Sequence, residues 1–230
     1  MGQEKYTYDY PHPAVTTDCV IFGFDGTKLY VLLIERGVEP YMGKWAFPGG
    51  FLRMDETAEE CAQRELFEET GLQATTMEQF HVFSATKRDP RERVLTIAFY
   101  ALCKMEDVKG GDDASKAKWF ALGEVPELAF DHDHILYRAI QVLRERIHFR
   151  PIGFDLLPEK FTMKELQSLY EAILDVKFDR GNFAKKMLHL DLLTKLDETV
   201  WPTTKREACL YSFNKKSYEE LKHKGFRLEF

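Results

Sequence analysis

The sequence predicts an α+β fold in two parts: a mixed sheet between helices, then a smaller unit of two helices and two strands. Three observations carry this reading. Apolar, β-rich runs alternate with amphipathic helical stretches through residues 14–147. Residues 148–158 then interrupt the pattern with two prolines and a glycine, as a linker would. Charge changes across that break: residues 1–150 carry 18 Lys and Arg against 25 Asp and Glu, whereas residues 151–230 carry 14 against 13. These boundaries divide the chain into a first domain at 1–149, a linker at 150–158 and a second domain at 159–230.

In the first part, runs 14–24 and 29–34 read as strands joined by the turn signal Asp25-Gly26. A loop with Gly37, Pro40 and Gly43 leads to Trp45-Ala46-Phe47-Pro48-Gly49-Gly50. Thr57-Ala58-Glu59-Glu60 forms a capping box, and Gly71 stands where the helix it begins should stop. Strand-like segments follow near 79–86, 93–103 and 118–121. A helix over 131–147 closes the unit, with Asp131 as its cap and Ile135, Ala139, Val142 and Leu143 on one stripe.

Composition excludes several classes. With 44% hydrophobic and 30% charged residues the chain is an ordinary globular protein, not a disordered or collagenous one. No apolar run approaches the roughly 18 residues of a membrane span. The first thirteen residues have neither the apolar core of a signal peptide nor, with Tyr6 at position six, a myristoylation pattern. A soluble cytoplasmic protein is expected. Cys19, Cys61, Cys103 and Cys209 form no C-x-x-C pair, so they read as small buried side chains.

The helix opened by Thr57 holds the chemistry. Glu65, Glu68 and Glu69 stand at i, i+3 and i+4, which places three carboxylates on one face. Such a hard-oxygen set, completed by water and phosphate, suits Mg²⁺, and Arg64 can hydrogen-bond a carboxylate and hold it in place. A solvated acidic face is the plain alternative. The spacing decides: Gly50, five residues, Glu56, seven residues, then Arg64-Glu65-Leu66-Phe67-Glu68-Glu69-Thr70-Gly71-Leu72 resembles the Nudix box at every defined position. The resemblance implies an α/β/α sandwich and a divalent cation, Mg²⁺ or Mn²⁺, on Glu65, Glu68 and Glu69. It implies catalytic roles for these three and for Arg64, and cleavage of a nucleoside diphosphate derivative by water, the metal serving as Lewis acid. Arg36 and the loop carrying Arg88 and Asp89 look like the substrate side, and with Phe47 and Gly50 they make up the expected ligand site. Where ADP-ribose pyrophosphatases of the superfamily carry a proline on that loop, this chain has Lys87, with Pro90 three positions on. Glu92, Asp112, Asp113 and Glu124 are candidates for the general base.

The second part begins with another capping box, Thr162 to Glu165, ahead of a stripe formed by Met163, Leu166, Leu169, Tyr170, Ile173 and Leu174. Asp179 can cap a further helix through about Leu190. On it Phe183, Met187 and Leu190 share one side, and Asn182, Lys185, Lys186 and His189 the other. A buried stripe backed by such a face suits a recognition helix, since Lys meets phosphate or guanine and Asn can pair with adenine. Strands at 192–196 and 207–213, joined by a tip with Pro202, Lys205 and Arg206, resemble the wing of a winged helix. The whole is similar to the Nudix-related transcriptional regulators. That resemblance implies a homodimer that binds operator DNA through Arg180, Asn182, Lys185, Lys186, His189, Lys205 and Arg206. It also implies a Nudix domain that senses a sugar or nucleotide-sugar effector. The alternative is a Mg²⁺-dependent hydrolase with an appended domain, because the box is complete. No membrane partner is expected.

Overall fold

Strand alternation sets the layers of the first part. The computed structural model describes residues 6–74, 76–111, 114–149, 156–201, 207–224 and 228, without the side chains of 221–224. In β1 (Ala14–Phe24) every residue from Thr16 onward is buried, so the strand is covered on both faces. Val20 and Phe22 point to one apolar cluster and Cys19 and Ile21 to another, as the period of two requires. β2 (Leu29–Arg36) divides in the same way, Val31 and Leu33 against Leu32. β1 pairs antiparallel with β2 and with β4 (Gly49–Phe51), and parallel with β6 (Val94–Leu102). β3 (Trp45–Ala46) and β7 (Ala114–Ala121) pair with β2, and β5 (Glu78–Phe83) with β6, which completes a seven-stranded mixed sheet.

One helix covers each face. α1 (Ala58–Thr70) starts at the Thr57–Glu60 capping box and stops at Gly71, whose φ of 75° suits glycine. Its Ala62 and Leu66 fill the cluster around Ile21. α2 (His132–Arg146) lays Ile135, Ala139, Val142 and Leu143 on the other face. The sandwich expected from the sequence is therefore present.

The second part comprises β8 (Phe161–Thr162), α3 (Met163–Leu174), α4 (Arg180–His189), β9 (Leu193–Val200), β10 (Ala208–Phe213) and α5 (Lys215–Lys224). β8, β10 and β9 form a three-stranded antiparallel sheet beside the helices. The capping box at Thr162 is formed, and the Asp179 side chain accepts the Asn182 N–H at 2.9 Å.

Several expectations need correction. β5 ends at Phe83, where its pairing with Thr96 stops, instead of running to 86. β7 begins at Ala114, four residues before the apolar run, because it pairs with β2 as far as Arg36. β9 reaches Val200 through exposed polar residues, held by pairing with β10 and not by an apolar pattern. β8 and α5 are additional elements. Asp131 occupies the cap position of α2 but makes no side-chain cap bond; its carboxylate is taken by Arg88 at 2.8 and 3.1 Å. A charge-assisted, two-pronged contact outcompetes a neutral N–H. Beyond these points, the two parts pack on each other. Leu156 and Leu157 are buried, and a single apolar cluster runs from Phe22 and Ile135 through Leu166 and Leu169 to Phe183 and Met187. Of the expected linker, 150–155 lie outside the described residues.

Candidate functional site

A cavity of about 390 Å³ opens where β1, β4, α1 and the loops before β6 and α2 meet. Arg64 organises its acidic wall. This guanidinium, 17% exposed, donates from Nε and Nη2 to Glu56 at 2.9 and 2.6 Å, and from Nη1 to Glu65 at 2.6 Å and Glu68 at 3.0 Å. The Arg64 hydrogen bonds hold the Glu56 carboxyl down at about 2. Glu65 goes the other way, raised by burial against the pull of Arg64. Its carboxylate rests on Gly50, where a Cβ would lie 2.4 Å from Oε1, so no other residue fits there without displacing it. Glu69 turns inward and accepts the Gly49 N–H at 2.9 Å. Burial, with added repulsion from Glu65 and Asp18, pushes Glu69 up to about 8.

The three carboxylates line one cavity without enclosing a common point. Among the described residues no group of three or more His, Cys, Asp and Glu side chains is gathered closely enough to ligate a metal. The reason is local: Arg64 draws Glu65 and Glu68 to itself, while Gly49 draws Glu69 inward. The chemistry of the set still fits a hard divalent cation. The raised pKa of Glu69 comes chiefly from burial, with Glu65 and Asp18 adding to it.

The opposite wall is cationic and aromatic. Arg36, Phe47, Gly50, Arg88 and Asp89, the expected ligand residues, all line the cavity. Arg36 donates to the Pro40 carbonyl at 2.8 Å and lies 4.9 Å from the centre of the Phe130 ring. Arg91 is gripped by Asp89 at 3.0 and 2.7 Å and sits between Phe51 and Phe130, 5.2 and 5.7 Å from their centres. Burial alone would raise Asp89, but the bonds from Arg91 keep it below its ordinary value.

Arg91, on the expected loop 87–91, lines the cavity, and so do three residues that were not anticipated here, Asp18, Phe130 and His132. Arg88, with a side chain only 4% exposed, reaches both Asp131 and, at 3.4 Å, Asp18. His132 accepts the Phe47 N–H on Nδ1 at 3.0 Å, stacks on the Phe47 ring, and directs Nε2 to Asp18 at 3.4 Å. Burial lowers the His132 pKa, so the ring is neutral and its Nε2 carries the proton. A lone carboxylate in the apolar strand 14–24 was a signal for Asp18. His132 lay in the Asp131-His132-Asp133-His134 run, where it looked like an ordinary helix start. Of the general-base candidates, Glu124 pairs with Lys28 on the surface, Glu92 is exposed and neither lines the cavity. Asp112 and Asp113 lie outside the described residues.

The second part presents a different surface. Phe183 and Met187 anchor α4 in the core, and Arg180, Asn182, Lys185 and His189 are exposed, with Lys186 half-buried. Trp201, 71% exposed, stands at the end of β9. Lys205 and Arg206 lie outside the described residues. Among the described residues no helix is long and apolar enough to cross a membrane.

Comparison with known proteins agrees with both surfaces. Residues 12–140 match the NUDIX domain family, and residues 153–213 match the NrtR DNA-binding winged helix domain. The chain is 33% identical over 216 residues to the ADPR responsive transcriptional repressor NtrR of Acinetobacter baylyi, covering 92% of this chain and 86% of that protein. It is 42% identical over 127 residues to the ADP-ribose pyrophosphatase of Methanocaldococcus jannaschii, covering 55% of this chain and 73% of that enzyme. The crystal structure of Shewanella oneidensis NrtR with a 27mer DNA superposes with a TM-score of 0.74 at 27% identity, covering 93% and 97% of the two chains. The NUDIX domain of that protein, solved with ADP ribose, superposes at 0.55 and 32% identity over 61% of this chain and 94% of that one. The chain therefore belongs to the Nudix family, in the branch that carries an NrtR-type DNA-binding winged helix domain.

Proposed function

We propose that this protein is a DNA-binding transcriptional repressor whose Nudix cavity takes ADP-ribose, a nucleotide sugar, and releases the operator in response. The observation that carries the reading is the pairing of two surfaces in one chain. One is a cavity with an acidic wall facing a cationic, aromatic one; the other is a helix with Arg180, Asn182, Lys185 and His189 exposed to solvent. Similarity to an ADPR responsive repressor over 92% of the chain supports the combination. Arg36, Arg88 and Arg91 are placed to meet a pyrophosphate, and Phe47, Phe51 and Phe130 offer faces to a base or ribose. Arg180, Asn182, Lys185, Lys186 and His189, with Lys205 and Arg206 at the wing, would contact DNA. A homodimer would place two such helices on a palindrome.

The test is a titration of the full chain against the DNA flanking its own gene, with and without ADP-ribose. Tight binding that weakens with salt and is relieved by ADP-ribose is expected. Salt-dependent binding that ADP-ribose leaves unchanged would overturn the choice of effector.

A second reading, hydrolysis of ADP-ribose or a related nucleoside diphosphate derivative, is favoured by the complete box and the 42% identity to a pyrophosphatase. Glu65, Glu68 and Glu69 would hold Mg²⁺ or Mn²⁺, which would supply Lewis-acid polarisation of the bridge. Arg64 keeps Glu65 and Glu68 in place, and Asp18 with Arg88 orients the far end of the ligand. Activity with Mg²⁺ that disappears in Glu68→Gln and Glu69→Gln is expected, and activity that persists in both would sink this reading.

A further inference from the structure

We infer that α2 transmits occupancy of the Nudix cavity to the recognition helix, and that Arg144 is the positioning residue where the signal enters the helix-turn-helix. The inference rests on the effector reading above and specifies how the two surfaces communicate. At its first turn α2 is part of the cavity. Asp131 is held by Arg88 at 2.8 and 3.1 Å, and His132 accepts the Phe47 N–H. Phe130, just before the helix, is fixed at a φ of 54°, a conformation that costs energy for a side chain of this size. A ligand that meets Arg88, Phe47 or Phe130 therefore meets the start of α2.

The helix runs fifteen residues, about 22 Å, and its other end grips the second domain. Arg144 Nε donates to the Ile173 carbonyl at 2.9 Å. Ile173 lies in the last turn of α3, where carbonyls lack intrahelical partners and the helix end is negative. The following turn has little slack. Asp175 is left-handed, and Glu171 accepts the Phe178 N–H at 3.0 Å and Lys177 Nζ at 2.7 Å. Gln167 donates to the Phe178 carbonyl at 2.9 Å, and the next residue, Asp179, caps α4. Arg144 thus holds the turn that aims the recognition helix. Arg146 pins α2 to the sheet through Glu78 and the Tyr100 hydroxyl. Arg146 keeps the helix from sliding, and a ligand at the cavity end that turns α2 about its own axis would carry the Arg144 side chain with it.

The experiment measures operator affinity of the full chain with and without saturating ADP-ribose, for wild type, Arg144→Ala, Arg144→Lys and the control Arg138→Ala on the exposed side of α2. Calorimetry gives ADP-ribose affinity in parallel. Arg144→Ala should bind DNA and ADP-ribose each within about threefold of wild type, while the ratio of DNA affinities with and without effector falls about tenfold. Arg144→Lys, which keeps one donor, should recover part of that ratio, and Arg138→Ala should leave it intact. An unchanged ratio in Arg144→Ala, or outright loss of DNA binding by the folded variant, overturns the inference. If the alanine variant does not fold, Arg144→Gln decides on the same criterion. A wild-type protein that binds DNA but ignores ADP-ribose overturns the effector reading itself, and the coupling with it.

Discussion

The charges of the Nudix cavity and those of α4 are of similar kind and stand in opposite surroundings. Arg64, half-buried, is held by Glu56, Glu65 and Glu68 of its own helix and the turn before it, and buried Arg88 by Asp18 and Asp131. Arg180 and Lys185 on α4 stand in solvent. A guanidinium in a low-dielectric wall is costly unless paired, and once paired it fixes geometry. An exposed ammonium costs little and remains available for a phosphate. Burial, more than residue type, separates a charge that builds a site from one that seeks a partner.

That contrast can be broken first at Arg88. Arg88→Met would leave Asp18 and Asp131 without their cation and should cost about 3–5 kcal/mol in denaturant unfolding, whereas Lys185→Ala should change stability by less than about 0.5 kcal/mol. Comparable losses in the two variants would remove the distinction. Leu169→Ala, in the cluster shared by both parts, should cost about 3 kcal/mol. It should shift one cooperative transition seen equally by probes in either part; two separable transitions would mean that the parts fold independently. At α4, replacing Lys185 and Lys186 together by Ala should weaken operator binding about a hundredfold and flatten its salt dependence, with circular dichroism unchanged. Normal binding by that variant would remove α4 from the interface.

The smallest effect is one of pH. Burial holds the His132 pKa below its ordinary 6.5, so the unfolded chain takes up the proton first as pH falls. Stability from this group is complete above 6.5 and is lost as the pH falls below it, toward the folded pKa. His132→Asn, whose Oδ1 can still accept the Phe47 N–H, should flatten the fall in unfolding midpoint between pH 7 and pH 5. A curve identical to wild type would show that His132 does not set that slope.

The acidic helix was readable in the sequence because its ligands lie within one element, where 3.6 residues per turn converts spacing into direction. The caps at Thr57, Thr162 and Asp179 were readable for the same reason. Arg88 was read as a ligand residue, but its grip on Asp18 and Asp131 was not readable, since it reaches Asp18 across 70 positions and Asp131 across 43. The parallel pairing of β1 with β6 brings the loop that carries Arg88 beside Asp18. The break at 148–158 shows the limit of such local signals. Prolines and a glycine mark the end of a helix, but they do not say whether the chain beyond it leaves the core.

The amino-acid order by itself determined the box, the caps, the apolar stripes and the polar face of α4, because each depends on periodicity and nearest neighbours. Tertiary structure decided which carboxylates Arg88 would hold, that both parts share one apolar core, and that Arg144 meets the turn before α4. Those contacts join residues far apart in the chain, and long-range packing selects them through burial and charge pairing that no local pattern encodes.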